Sequence, residues 1–338
     1  MIRNENAYAL GRRSGLMYDM LNRIGRRRSN QEIMTFPRFS SCFDERREMR
    51  FGIWSSSDRD WYDRVLPRMY EDAVSETSKV TRRIPKIVHQ IWLGGPLPSK
   101  FRELREKWMD IMGSEWKFIL WDEVSIEMFK LQNIKAYKSA GNYGEKSDIA
   151  RYEILYRMGG VYLDTDMEPY KSLDSIHSRF EFYAGIANTG TVELNNALIA
   201  SVSGHVILKE CIDQIRDNNV DKTKNLMSLI GSFLPLESKM LMNQESKKNN
   251  KAQDPMSTIT RTGPGMFTRA FMKIATSDKY NTNKKIVAFP PSFFYPFPNN
   301  KTEEVDIDKR STYRRDESFC THHWAATWNV KNQTRHKW

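Results

Sequence analysis

Two periodicities alternate along the middle of the chain. Lys86-Ile87-Val88-His89-Gln90-Ile91-Trp92-Leu93 is an apolar, β-rich run closed by Gly94-Gly95-Pro96, which predicts a buried strand with a loop at its carboxyl end. Residues 101–112 carry helical spacing and residues 116–121 form a second apolar run ending at Asp122, so a strand–helix–strand unit is predicted. Ligands of open α/β sheets gather beyond the carboxyl ends of such strands, which places residues 92–95 and Trp121-Asp122 on one rim. Residues 147–158 are the strongest predicted helix, with Ser147 as N-cap, Ile149, Tyr152 and Tyr156 on one face, and Gly159-Gly160 as the stop. Val161-Tyr162-Leu163 then reads as a short strand that delivers Asp164-Thr165-Asp166.

The flanks are less regular. Residues 8–28 place Leu16, Met17, Met20, Leu21 and Ile24 at helical spacing among Arg12, Arg13, Arg23 and Arg26, the pattern of a basic amphipathic helix. Such a helix docks on its own core or lies on an anionic membrane surface, and the pattern serves both. Residues 29–60 read as loop, 243–254 as a polar insertion, and 289–298 as an aromatic-proline stretch. Gly263-Pro264-Gly265 reads as a turn, and no internal repeat is visible.

Composition narrows the class. A chain of 338 residues with 39% hydrophobic and 12% aromatic side chains can bury a real core, which excludes fibrous and disordered classes. No run approaches the roughly 18 apolar residues of a membrane helix, and the start lacks the apolar stretch of a secretory signal, so a cytoplasmic protein, peripheral to a membrane at most, is expected. Cys42, Cys211 and Cys320 fit neither a disulfide framework nor a zinc spacing. The net charge of +11 includes an Arg-rich first stretch, with Arg26-Arg27-Arg28 and Arg82-Arg83, that attracts phosphate without choosing among nucleic acid, lipid and a small anionic substrate.

Two carboxylates one residue apart at the end of a buried strand can serve one divalent cation, which in turn can bridge a diphosphate. Asp148 and Arg151 share a helix face at i and i+3, and by themselves they read as a surface ion pair. His89, in the middle of a predicted buried strand, reads as a structural histidine.

The series Ile84-Pro85-Lys86-Ile87-Val88-His89-Gln90-Ile91-Trp92-Leu93-Gly94, then Ser147-Asp148-Ile149-Ala150-Arg151-Tyr152-Glu153-Ile154-Leu155-Tyr156 running into Gly159-Gly160-Val161-Tyr162-Leu163-Asp164-Thr165-Asp166, resembles the sugar-binding DXD region of glycosyltransferase family 32. Asn195-Asn196, Gly263-Pro264-Gly265 and His322-His323-Trp324 follow in the family's order. The family includes Golgi α-1,6-mannosyltransferases and α-1,4-galactosyltransferases and is related in fold to the large glucosylating toxins. The resemblance implies an α/β chain with a GT-A type nucleotide-diphospho-sugar transferase fold, a Rossmann-like mixed sheet flanked by helices. That domain would occupy residues 82–330 with a variable insertion at 215–255. A basic, largely helical extension (1–81) would precede it and a tail (331–338) follow it.

The resemblance further implies a retaining, metal-dependent hexosyl transfer from a UDP- or GDP-sugar, with Mn²⁺ or Mg²⁺ as the cofactor. Asp148, Arg151, Asp164 and Asp166 would carry the chemistry. Asp164, Asp166 and His322, with His323 as second choice, would hold the metal. Gln90, Ile91, Trp92, Trp121, Asp122, Tyr152 and Trp328, together with Asp148, Arg151 and Asp164, would bind the donor. Ala326-Thr327-Trp328 stands where the family often has Gly-Ser-Trp, which keeps the hydroxyl and loses the glycine. The acceptor would be a glycan or glycolipid, with a protein acceptor the alternative. A basic nucleic-acid- or membrane-binding protein on a catalytically inactive GT-A fold is the rival of another class. No specific nucleic acid is expected, since no binding module is recognisable. A phosphatase of the haloacid dehalogenase type also ends a strand in Asp-x-Asp, but Glu168 stands where that chemistry wants Thr or Val.

Overall fold

A computed structural model describes residues 36–43, 59–76, 82–189, 192–220, 255–277, 285–299 and 307–325. The expected basic helix at 8–28, the polar insertion at 243–254, the tail at 331–338 and Thr327-Trp328 lie outside the described residues. The chain divides into Met1–Phe36 and Pro37–Trp338, and every helix and strand below belongs to the second unit.

Eight strands are described: β1 (Ile87–Ile91), β2 (Lys117–Trp121), β3 (Gly160–Leu163), β4 (Met167–Pro169), β5 (Phe182–Ile186), β6 (Leu194–Ser201), β7 (Ile286–Phe289) and β8 (Cys320–His322). Ten helices accompany them: α1 (Leu66–Ser75), α2 (Ser99–Met112), α3 (Glu123–Phe129), α4 (Ile134–Ser139), α5 (Tyr143–Met158), α6 (Asp174–His177), α7 (Val206–Val220), α8 (Pro255–Arg261), α9 (Pro264–Ala275) and α10 (Pro291–Phe294). Six strands form one mixed sheet in the order β2-β1-β3-β6-β5-β7. β1 runs parallel to β2 and β3, β6 runs antiparallel to β3 and β5, and β5 runs parallel to β7. The α/β class and mixed sheet expected from the sequence are therefore present.

β1 is central because its Val88 to Ile91 side chains are buried on both faces of the sheet, as a continuous apolar run requires. His89 is fully buried in this strand. Its Nε2 donates to Gly159 O at 3.0 Å and its Nδ1 accepts from Trp121 Nε1 at 3.2 Å, so it is a structural histidine as expected. Burial lowers its pKa to about 4, which keeps the ring neutral.

Helix α5 begins five residues earlier than the pattern predicts. Asn142, not Ser147, is the N-cap, its side chain accepting from Glu145 N at 2.8 Å. The helix is buried nearly all round from Gly144 to Leu155, so its apolar face is a poor guide to its orientation. Gly159 ends it with φ +66, donating its N–H to Leu155 O at 2.8 Å. Gly160 then enters β3 at φ +105, where a Cβ would stand 2.5 Å from Ile87 O; only glycine lets β3 lie this close to β1. Gly263 likewise differs from a simple turn, serving as the N-cap position of α9 with Pro264 as its first residue.

Residues near the start of the second unit pack on the sheet's far edge. α1 lays Tyr70 against Phe289 and Phe293, with ring centroids 6.1 and 6.0 Å apart. The aromatic-proline stretch is core: Phe293, Phe294, Tyr295 and Phe297 are fully buried. Cys42, Cys211 and Cys320 are buried free thiols. Among the described residues, no helix is long and apolar enough to cross a membrane.

Candidate active site

The Asp164-Thr165-Asp166 turn stands at the carboxyl end of β3, the rim where the sheet topology directs a ligand. Asp164 N donates to Ala197 O at 2.8 Å and Met167 N returns to Asp164 O at 3.2 Å, a tight turn that presents both carboxylates. Immediately after it, β4 pairs antiparallel with β8 in a separate two-stranded ribbon, with Met167 opposite His322. This ribbon carries His322 across 156 positions of sequence to Asp166, where Nε2 lies 3.0 Å from Oδ1. The same nitrogen is 3.8 Å from Asp164 Oδ2. Trp108, fully buried on α2, holds the ribbon down by donating Nε1–H to Met167 O at 2.8 Å.

The chain after β8 turns back over the aspartates. Trp324 adopts φ +54, uncommon for a large side chain, and is held by its Nε1–H bond to Phe297 O at 3.0 Å. The turn lets His323 N reach Asp166 O at 3.1 Å and Ala325 N reach Asp166 Oδ2 at 2.8 Å. Burial pushes the Asp166 carboxyl up, but His322 and the Ala325 amide more than offset it and hold it well below the usual range. His322 is opposed by burial and raised overall by the two aspartates.

Asp164, Asp166 and His322 each offer one ligand atom, all within 4.8 Å of one another. Two carboxylates and an imidazole fit a divalent cation, with ligand distances of about 2.0 to 2.6 Å reachable from this spread. His322 Nδ1 is buried and, among the described residues, has no hydrogen-bond partner, so the committed side of the ring there is the one facing the carboxylates. The structure thus brings His322 to the aspartates, whereas His323 turns to Glu168, with Nε2 3.0 Å from Oε2. Lys107 meets the same Glu168 at 3.0 Å, and these two contacts hold the Glu168 pKa down at about 2, against its burial.

Beside the turn lies a closed polar network. Asp148 and Arg151 are about 95% buried, so the surface-pair reading of this i,i+3 spacing does not hold. Arg151 Nη2 is 3.2 Å from Asp148 Oδ1, and its Nη1 is 3.4 Å from Asp164 Oδ1 and donates to Asn196 O at 2.7 Å. Its guanidinium also covers the Tyr162 ring at 4.2 Å, while Tyr162 donates its hydroxyl to Asp164 Oδ1 at 2.8 Å. Asn196 donates from Nδ2 to Asp148 Oδ1 (2.8 Å) and to Tyr152 Oη (2.9 Å), and Thr262 donates to Asp148 Oδ2 at 3.0 Å. Tyr152 closes the ring by donating to Thr262 O at 2.8 Å. Burial raises the Asp148 pKa to about 6, with Arg151 the largest opposing influence.

The residues expected to line a base and ribose pocket are more dispersed. Gln90 is fully buried, its Oε1 accepting from Arg105 Nη1 at 2.8 Å. Ile91 is buried in β1, and Trp121 is bonded to His89 inside the sheet. Asp122 caps α3 by accepting from Ser125 N at 2.8 Å. Trp92 is half-buried and shares the Leu97–Phe101–Leu104 apolar cluster with Ala325, which sets it beside the tail of the aspartate turn. Thr262, Tyr162, Glu168 and the Ala325 amide belong to the site without having been read from the sequence. Thr262 alone had a usable signal, since it immediately precedes Gly263-Pro264-Gly265.

Residues 98–183 match the family described as "Glycosyltransferase sugar-binding region containing DXD motif". Inositol phosphoceramide mannosyltransferase 3 of Schizosaccharomyces pombe is 27% identical over 139 residues, 40% of this chain and 38% of its own length. Mannosyl phosphorylinositol ceramide synthase SUR1 of Saccharomyces cerevisiae is 29% identical over 170 residues, 49% of this chain and 44% of its own. The chain thus spans less than half the length of these curated relatives. Among solved structures, the catalytic domain of alpha-toxin from Clostridium novyi is similar with a TM-score of 0.40 at 14% identity, covering 76% of this chain and 83% of that one. The matched stretch contains α5, β3 and the aspartate turn, so residues 98–183 are similar to the glycosyltransferase sugar-binding region, with Asp164-Thr165-Asp166 as the D-x-D sequence inside the match.

Proposed function

We propose that this chain is a retaining, divalent-metal-dependent hexosyltransferase that moves a sugar from a UDP- or GDP-sugar to a glycolipid acceptor. The observation that carries this reading is the meeting of Asp164, Asp166 and His322 beside the buried Asp148–Arg151–Asn196 network. The names of the two yeast relatives, an inositol phosphoceramide mannosyltransferase and a mannosyl phosphorylinositol ceramide synthase, favour mannose and a lipid-linked acceptor. No specific nucleic acid partner is part of this reading, and the basic segment at 8–28 would serve peripheral contact with an anionic membrane.

Asp164, Asp166 and His322 would hold Mn²⁺ or Mg²⁺, which supplies Lewis-acid neutralisation of the diphosphate's charge when bound. The protein's own part is orientation and electrostatics. Asp148 already accepts two of the roughly four hydrogen bonds a carboxylate can take, from Asn196 and Thr262, and its Oδ1 also faces the Arg151 guanidinium at 3.2 Å. That leaves about one lone pair, aimed by a rigid frame, for a sugar hydroxyl. Arg151, fixed on Asp148, Asp164 and the Asn196 carbonyl, keeps a buried positive charge beside the reacting centre. The tail from His322 to Ala325 closes on Asp166 and screens the leaving group from water.

The test is release of nucleoside diphosphate from UDP- and GDP-sugars with Mn²⁺, Mg²⁺ or EDTA, with and without an inositol phosphoceramide acceptor, comparing wild type with Asp166→Ala. Metal-dependent release from one donor, stimulated by the lipid and absent in the variant, is expected. Absence of both turnover and nucleoside diphosphate binding in wild type refutes the reading.

A further inference from the structure

The outward face of α3 is apolar where a solvated helix is normally polar. Val124 and Met128 stand one turn apart on it, 65% and 75% exposed, and are the two most exposed large apolar side chains among the described residues. The helix packs by its other side: Ile126 is fully buried, and the Phe129 ring lies 5.1 Å from Trp121 and 3.4 Å from the Arg157 guanidinium. Glu123 Oε1 accepts from Gly94 N at 2.7 Å, and the Tyr143 ring leans on the same glycine, where an added Cβ would stand 2.7 Å from it. α3 and the first residue of α5 thus meet at the loop leaving β1, and Tyr143, 43% exposed, extends the exposed apolar surface. Because β1 runs parallel to β3, this loop shares its rim with the Asp164-Thr165-Asp166 turn, and α5 carries Asp148 about a turn and a half beyond Tyr143.

The charges around this surface leave one sign uncompensated. Lys130, Lys135 and Lys138 are exposed, and Lys146 lies over the Tyr137 and Tyr143 rings at 5.4 and 5.9 Å. Among the described residues none of these four ammonium groups has an ion-pair partner. Of the acidic side chains between them, Asp122 caps α3, Glu123 holds Gly94 and Glu145 is buried against Arg261 at 2.9 Å, which leaves Glu127. Apolar tips ringed by lysines match an anionic lipid surface, since the side chains and methylene stems enter the interface while the ammonium groups stay among the headgroups. A second copy of this chain would set the same lysines against one another.

We infer that the α3–α5 rim is the surface on which this protein meets an anionic membrane, with Val124 and Met128 entering the interface. The inference is independent of the basic segment at 8–28. It rests on the lipid-acceptor part of the reading above and adds to it the side of the fold that faces the lipid.

The experiment is sedimentation of the full chain with vesicles of phosphatidylcholine, with or without phosphatidylserine. Wild type is compared with Val124→Ser/Met128→Ser, Lys135→Glu/Lys138→Glu, Arg12→Glu/Arg13→Glu and, as a control on exposed apolar positions of α2, Met109→Ser/Ile111→Ser. Anionic vesicles should bind wild type and bind Val124→Ser/Met128→Ser roughly 10- to 100-fold more weakly, the loss of two apolar side chains from an interface. Lys135→Glu/Lys138→Glu should weaken binding about tenfold or more, by an amount that shrinks as salt is added. Met109→Ser/Ile111→Ser should stay within about threefold. The α3 and lysine substitutions fall on exposed side chains, so the fold is not at stake. Wild-type binding kept by Val124→Ser/Met128→Ser, absence of binding by wild type, or binding lost only in Arg12→Glu/Arg13→Glu overturns the inference. A wild-type dimer that Val124→Ser/Met128→Ser dissociates while vesicle binding is intact gives this face to a second copy and overturns it as well. Wild type that binds vesicles through α3 yet binds neither UDP nor GDP in titration calorimetry supports the docking surface and refutes the donor reading, so the two fail separately.

Discussion

Arg151→Met tests whether the buried network holds its charges as the geometry says. The guanidinium neutralises Asp148 at 3.2 Å and Asp164 at 3.4 Å, and it covers Tyr162 at 4.2 Å. Removing one partner of a buried ion pair costs about 3–5 kcal/mol, because the surviving charge has no water to turn to. A methionine of similar reach refills part of the space over Tyr162, so the cation–π loss of about 1–2 kcal/mol is partly offset and the total stays near the same range. The pH dependence is more diagnostic. Asp148 has a folded pKa raised from 3.8 to about 6, so the folded state binds this proton more tightly than the unfolded chain, and stability falls as pH rises through that window. In wild type the loss is complete a little above pH 6. Without Arg151 the folded pKa climbs further and the loss continues past neutrality. Glu168, held at about 2, titrates below the window and cancels from the difference. Urea unfolding followed by tryptophan fluorescence should therefore show a gap between wild type and variant that is about 3–5 kcal/mol at pH 8 and smaller at pH 6. A loss under about 1 kcal/mol, or an equal gap at the two pH values, refutes the claim that Arg151 holds Asp148 ionised.

Two further predictions bear on the metal centre and on the sheet. His322→Ala should weaken Mn²⁺ binding by at least about tenfold, while His323→Ala, which removes a contact to Glu168, should leave it within about threefold; titration calorimetry distinguishes them, and the reverse order would move the ligand to His323. Gly160→Ala adds a Cβ 2.5 Å from Ile87 O at φ +105, whereas Gly113→Ala, at φ +78, meets nothing within 4 Å. Both pay backbone strain of about 1–3 kcal/mol, so thermal and urea unfolding should show Gly160→Ala less stable by a further 2 kcal/mol or so; equal losses would mean β1 and β3 can part cheaply.

Much of the site's chemistry was legible because it is local. Asp148 and Arg151 share one helix, and the turn with Asp164 and Asp166 follows that helix within 16 residues, so spacing alone keeps these groups together. The glycines at 159 and 160 were readable as a stop, and their positive φ values explain why. Other expectations failed where burial overrode a local signal. Ser147 looked like a cap, but Asn142 lies at the true start of α5 and the helix runs on through a fully buried Asp148. Gln90 Oε1 and Trp121 Nε1 are engaged by Arg105 and His89 in the interior, a placement that leaves the expected donor-binding role of these two residues a proposal.

The sequence by itself determined the alternation of strands and helices, the aspartate turn and the helix before it, since each rests on hydrogen bonds and side-chain periodicities spanning fewer than twenty residues. Only the tertiary structure decided which histidine meets the aspartates, because the β4–β8 pairing brings together Asp166 and His322, 156 positions apart, and a two-residue alternation sends His322 to Asp166 and His323 to Glu168. It likewise decided that Asp148 and Arg151 are interior: Thr262 and Asn196 come from distant elements and complete a cage that local spacing does not foretell.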